Sequence, residues 1–358
     1  MRDAQLTINR SALLHNLRQV KLAAPHAKVL AMVKADAYGH GALVVADTLS
    51  PHVDALGVAF LEEALALRMA GIRCPIAILE GVFSADELAA ALSAQCYLVV
   101  HQPAQIALLH DYRGDLDTRV WLKIDSGMHR LGFSPQAAID AYQQLNALAV
   151  VKEIILTSHF ACADDLQSAK TRQQIAVFEQ LSQALPITLA KSIANSAGIL
   201  AWPETHYQWV RPGIMLYGSS PFADKTASEL KLQPVMTLSS RLIAIQQIKT
   251  GETVGYGSTW QATQDTRLGV VAMGYGDGYP RHIGRDTCVL INGQRAAIVG
   301  RVSMDMMTVD ITHISAERGD AVLLWGDGLT ADEIAASANT ISYELFCQAT
   351  TRAERFVV

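Results

Sequence analysis

Short apolar, β-branched runs alternate with stretches of helical spacing over the first two thirds of the chain. No other feature limits the possible folds as much. The runs are Val29–Val33, Ala55–Ala59, Pro75–Leu79, Tyr97–Val100, Arg119–Ile124, Glu153–Thr157, Ile187–Leu189 and Ile214–Tyr217. Between them the spacing predicts helices. Ser11 reads as a cap before Leu13, Leu14, Leu17 and Val20, and Gly71 stops the helix that carries Leu61, Ala64, Leu65 and Arg68. Ser84-Ala-Asp-Glu87 reads as a capping box, Ser134-Pro135 as a helix start, and Ile175, Phe178 and Leu181 mark another helix. Repeated β-then-α units imply a parallel sheet with helical crossovers. Eight candidate strands suit an α/β fold of the (β/α)8 TIM-barrel type over residues 10–232. An open doubly wound sheet is the rival, but the chain has no G-x-G-x-x-G fingerprint.

The character changes near Leu232. Residues 233–358 carry short strand patterns and glycine turns at Val235–Ile248, Val254-Gly-Tyr-Gly, Leu268–Met273, Ala296–Val299, Met307–Ile311 and Ala321–Leu324. Asn292-Gly293 between apolar runs signals a hairpin, and Thr330 caps a single predicted helix to about Ala338. This reads as a C-terminal, mostly β domain. Of 358 residues, half are hydrophobic and 18% charged, enough for a sizeable core. The net charge of −5 leaves no basic excess for nucleic acid as the main partner. The opening MRDAQLTINR predicts no secretory leader, and no apolar run is long enough for a membrane span. Five scattered cysteines predict reduced thiols in a cytoplasmic protein, with no disulfide framework and no metal site.

Candidate chemistry lies at the ends of the predicted strands. Lys34 ends the first, in Val33-Lys-Ala-Asp-Ala-Tyr38-Gly-His-Gly41; an amine beside an apolar strand suits a nucleophile, a base or a Schiff base, though a surface lysine fits the spacing as well. Lys123 and Arg130 flank Asp125 in a glycine loop, where Arg130 suits a substrate carboxylate and an internal ion-pair network is the alternative. His159 ends the sixth strand, as a ring-stacking or arginine-orienting group or a structural histidine. Ser196 after the seventh strand and Arg211-Pro-Gly213-Ile214 at the eighth lie where such barrels often hold phosphate; an ordinary helix cap is the plain alternative for Ser196. In the β region, glycine-flanked Tyr256, the Gly274–Arg281 run, Met304 and Tyr343 stand out, although packed aromatics in glycine turns would look the same.

Taken in order, these segments resemble alanine racemase along nearly the whole chain. The most specific is Val33–Gly41, which is similar to that family's cofactor-attachment signature; one small departure is Asp36, where asparagine is at least as frequent. The resemblance implies pyridoxal 5′-phosphate on Lys34 as an internal aldimine, and a homodimer in which a β domain of 233–358 with residues 1–9 lends Tyr256 and Met304 to the partner's site. Tyr38, Ser196, Gly213, Ile214 and Tyr343 would hold the phosphate. Arg211 would face the pyridine nitrogen with His159 behind it, and Arg130 would contact the ring hydroxyl or the substrate carboxylate. Lys123 becomes a candidate for carbamylation. Lys34 and Tyr256 would be the two bases that interconvert L- and D-alanine, either for peptidoglycan or in alanine breakdown. Other functions share part of the pattern. They are a broader racemase, a decarboxylase (disfavoured by Arg211), a catalytically silent cofactor carrier and a cofactor-free phosphate- or sugar-binding barrel.

Overall fold

The computed structural model describes residues 4–358; the first three residues, grouped above with the β domain, lie outside the described residues. The chain divides into two compact units, one of Leu14–Leu216 with Pro221–Lys225, the other of the segment up to Leu13, Tyr217–Ser220 and Thr226–Val358. The first unit is a closed barrel of eight parallel strands: Lys28–Met32, Ala55–Val58, Ile76–Ile78, Cys96–Val100, Thr118–Lys123, Val151–Thr157, Ala190–Ser192 and Trp209–Val210. Closure comes from the first strand pairing with the eighth, Lys28 opposite Trp209 and Val29 opposite Val210. Inward residues fill the interior, among them Leu30, Ala77, Val99, Trp121, Ile155 and Trp209. The Trp121 and Trp209 rings meet edge to face at 5.3 Å.

Helices follow most strands and obey local rules. Ser84 Oγ accepts from Glu87 N, and Ser134 Oγ from Ala137 N with Pro135 opening the helix Pro135–Asn146. The first helix, Arg10–Ala23, is capped by Asn9 and not by Ser11, because Asn9 Oδ1 accepts from Ala12 N and from Ser11 Oγ. Two barrel strands sit away from their predicted places. Ile187–Leu189 forms a turn closed by Leu189 N on Pro186 O, with Ile187 99% exposed, and the seventh strand begins at Ala190. The eighth strand is the two-residue Trp209–Val210, and Ile214–Tyr217 is a buried 3-10 turn. The second run is apolar because it packs; the first turns in solvent, and neither pairs as a strand.

The second unit is mostly β. Met236–Ile248 pairs with Ala321–Trp325 along its first half and with Thr266–Val271 along its second, shifting register between Leu242 and Ala244. Met307–Asp310, Gln294–Val299 and Cys288–Ile291 complete a ring of antiparallel strands. Gln5–Ile8 adds to the edge of Met236–Ile248, and Glu354–Val357 lies parallel to it. Asn292 and Gly293 both have positive φ, as a two-residue hairpin turn requires. Thr330 caps Ala331–Ser337; a second helix, Ser342–Gln348, adds to the single predicted one. No helix among the described residues is long and apolar enough to cross a membrane.

One side chain staples the floor of the barrel, the face opposite the strands' C-terminal ends. Arg68, in the last turn of Leu61–Met69, donates to the carbonyls of Ile72, Cys74, Ala94 and Gln95, in the loops that lead into the third and fourth strands. Replacing it with alanine leaves those carbonyls without a charged donor. Arg68→Ala is expected to lower unfolding free energy by about 2–3 kcal/mol in urea melts followed by tryptophan fluorescence. Arg68→Lys should recover little, since one ammonium cannot span four acceptors.

Candidate active site

Because the barrel strands are parallel, their C-terminal ends share one face, and the loops leaving them carry most of the singled-out residues. Lys34 follows the first strand, half-buried. The four residues after it wind in the left-handed sense: Ala35, Asp36, Ala37 and Tyr38 have φ of 53, 52, 54 and 54°. For L-residues each such position costs roughly 1–2 kcal/mol, so the turn must be held from outside. Asp36 Oδ1 accepts from Ala42 N at 2.7 Å and its carbonyl from Gly41 N, while the Nδ1 of buried His40 lies 2.9 Å from Tyr38 O. The carboxylate of Asp36 thus serves the backbone.

The turn delivers Tyr38 against the eighth strand's exit. A Cβ built on Gly213 would lie 2.6 Å from the Tyr38 hydroxyl oxygen, so only glycine lets the phenol come this close. Ser196 opens the helix Ser196–Ala201, but Asn195 is its cap, accepting from Gly198 N at 3.0 Å. That leaves Ser196 Oγ to accept from Gly213 N (3.0 Å) and Met215 N (3.3 Å). Ile214, between those two, is fully buried. Two hydroxyls and a cluster of loop N–H groups, with no carboxylate in the set, are the donor chemistry that a phosphate needs.

Arg211, between the eighth strand and Gly213, is buried. Its Nη1 donates to Ser192 Oγ (2.6 Å) and Thr157 Oγ1 (3.1 Å), and its Nη2 to Ser158 O (2.5 Å) and Ile193 O (3.4 Å). Nη2 also reaches His159 Nδ1 at 3.3 Å. No carboxylate pairs with it among the described residues. Burial pulls the guanidinium down to about 10, so it stays charged at neutral pH. Burial, then Arg211, Arg130, Lys123 and Lys34, hold His159 well below the usual imidazole range. His159 is therefore neutral, accepting at Nδ1 and carrying its proton on Nε2.

Lys123, the last residue of the fifth strand, is pulled down to about 8 by burial and by Arg211, Arg130 and Lys34, against the opposing pull of Glu80. Arg130 is exposed in the following loop. Asp125, between them, binds its own loop: it accepts from Gly127 N and His129 N and lies 2.9 Å from His129 Nδ1. The remaining candidates belong to the β unit. Tyr256 stands 69% exposed on a turn between Gly255 and Gly257, and Met304 is 53% exposed. Met304 O accepts from Gly276 N, which joins its turn to that of Tyr275. Tyr343, the second residue of Ser342–Gln348, is half-buried. Sequence reading missed Thr157, Ser192 and Glu63. The first two are polar residues at the ends of barrel strands; Glu63, three residues after Phe60 at a helix start, was the available sign of a backbone-binding carboxylate.

Comparison with known proteins matches both halves. Residues 8–221 fit the family model for the alanine racemase N-terminal domain and residues 235–357 that for the C-terminal domain. An alanine racemase of Photobacterium profundum is 48% identical over 99% of both chains, and the biosynthetic alanine racemase of Escherichia coli 47% over 98% of both. The crystal structure of biosynthetic alanine racemase from Pseudomonas aeruginosa superposes with a TM-score of 0.96, at 44% identity and full coverage of both chains. With barrel and β unit matched in one order from end to end, the chain belongs to the alanine racemase family of isomerases.

Proposed function

We propose that the chain interconverts L- and D-alanine, with pyridoxal 5′-phosphate held covalently by Lys34, in a cytoplasmic homodimer with shared sites. The observation that carries this reading is the convergence of Lys34, the Tyr38–Ser196–Gly213–Ile214 cradle and carboxylate-free Arg211 at one end of the barrel. Tyr343 adds its hydroxyl to the phosphate. When bound, the cofactor supplies an electron sink that makes the amino acid's Cα–H acidic.

Racemisation then needs a proton removed from one face of Cα and delivered to the other. Lys34, once its amine is released, serves one face and removes the proton from D-alanine. The partner subunit's Tyr256 serves the opposite face and removes it from L-alanine. A phenol of ordinary pKa ~10 is a poor base at neutral pH, and a cationic neighbourhood helps it ionise. Arg211 supplies the charge, and neutral His159 offers its Nε2–H to the phenolate. Arg130 binds the substrate carboxylate. The partner's Met304, with Tyr343, narrows the pocket to a methyl group, which discriminates against one further methylene by only ~1–3 kcal/mol.

Arg211 sets the type of reaction. Arg211 would be the residue that meets the ring nitrogen of a bound pyridoxal 5′-phosphate, and because a guanidinium does not readily share a proton it would leave the ring a weaker electron sink than an acid there. A weaker sink would disfavour transamination relative to racemisation, and the lack of an acid at Arg211's position speaks against a decarboxylase. Lys123 is the candidate carbamate carrier: with its pKa drawn down to about 8, first by burial, a fraction of the amine is neutral at pH 7, and that nitrogen can attack carbon dioxide and release a proton.

Four measurements test the parts of this reading. Incubation with L-alanine followed by chiral analysis should give both enantiomers, while Lys34→Ala should lose both activity and the visible cofactor band. Mixed with Tyr256→Phe subunits under conditions of exchange, Lys34→Ala subunits should recover about a quarter of wild-type activity, since each heterodimer keeps one intact site; no recovery refutes shared sites. Arg211→Glu should release more pyruvate per racemisation turnover, and an unchanged ratio removes the argument from the weak sink. With 13C-bicarbonate, a carbamate resonance should grow from pH 7 to 9, as the Lys123 amine loses its proton, and vanish in Lys123→Met. Its absence in the wild type rules the carbamate out.

A further inference from the structure

The left-handed turn after Lys34 is held at its far end by Asp36 and His40, and at its near end by a side chain from another element. Glu63, in the first turn of Leu61–Met69, accepts from Ala35 N through Oε1 at 2.6 Å. Its Oε2 accepts from Ala59 N at 2.6 Å and Phe60 N at 3.2 Å. One carboxylate therefore ties the peptide that directly follows Lys34 to the exit of the second barrel strand. Four consecutive L-residues keep this handedness only where their surroundings over-determine it. We propose that Glu63 is a positioning residue for Lys34, fixing the Lys34–Ala35 peptide so that the amine leaves and returns to one place in each cycle. This rests on the reading of Lys34 as the cofactor-bearing base.

The geometry separates this role from simple support of the fold. Ala35 is exposed, so its N–H finds water when the carboxylate is lost. What goes is the fixed direction of the chain at Lys34. Glu63→Gln keeps the side chain's shape but turns one acceptor oxygen into an amide donor that faces an N–H. A displacement of ~1 Å at a reacting group can cost roughly 100-fold in rate.

The test uses the enzyme loaded with pyridoxal 5′-phosphate. Glu63→Gln should keep the visible band and lower kcat roughly 10- to 100-fold, with KM for L-alanine within about threefold of wild type. In the cofactor-free protein the amides of residues 35–38 should exchange hydrogen faster, with the remaining barrel strands unchanged. A kcat within about twofold of wild type overturns the proposal. So does faster exchange across the whole barrel, which marks a residue of the fold at large. If Glu63→Gln does not fold, Glu63→Asp, too short to serve both peptides, is read the same way; failure of both to fold also overturns it. Lys34→Ala is the separate control: a band that survives there defeats the reading of Lys34 and leaves the faulty premise identified.

Discussion

Two residue pairs close the barrel, and the site exists because they do. Lys28 opposite Trp209 and Val29 opposite Val210 bring the first strand beside a strand only two residues long. Everything at the end of the barrel that carries Lys34 inherits this adjacency. Tyr38 can lean on Gly213, far away in sequence, only because the strands that precede them are neighbours. The eighth strand is short because the chain must turn at once, sending Arg211 inward and then presenting the Gly213 and Met215 amides to Ser196. The edge-to-face tryptophans on the fifth and eighth strands fill the interior below these groups.

A second constraint is electrostatic. A buried guanidinium without a carboxylate is costly unless its donors are satisfied. Arg211 meets that demand with two hydroxyls and two carbonyls, from the ends of the sixth and seventh strands and the residues just beyond. Neutral acceptors leave its charge uncancelled, and that charge adds to burial, the larger cause, in depressing both His159 and Lys123. A cationic field with one neutral imidazole inside it suits a phosphate, a substrate carboxylate and a phenolate together. A carboxylate partner for Arg211 would cancel its share of that field and leave only Lys34, Lys123 and Arg130.

Much of this was legible in the residues, and the exceptions have physical causes. Six of the eight barrel strands fall on the apolar runs, because their middle residues are buried on both faces. The seventh and eighth do not. Their sequences, Ala-Lys-Ser and Trp-Val, are too short or too polar to stand out, while Ile187–Leu189 and Ile214–Tyr217 look like strands but turn. The helix Ser342–Gln348 has only seven residues, so its buried face of Ser342, Leu345 and Phe346 is too brief a pattern to stand out. Motifs singled out the candidates that the structure carries at the strand ends, since lysine, arginine and glycine there stand apart from the apolar runs before them. Their support was less visible. Glu63 acts on a backbone amide 28 residues away, and Thr157 and Ser192 look like ordinary strand-end polar residues.

The wrong-handed turn also bears on how variation along this chain is to be read. Ala35 and Asp36 face solvent, where a surface site ordinarily accepts almost any substitution. Here the chirality of the polypeptide itself narrows the choice. Valine, isoleucine and threonine fit a positive φ badly, whereas glycine, asparagine, aspartate and, at some expense, alanine are admitted. Invariance at such a position would record the sense in which the main chain is wound, even if nothing ever touched the side chain.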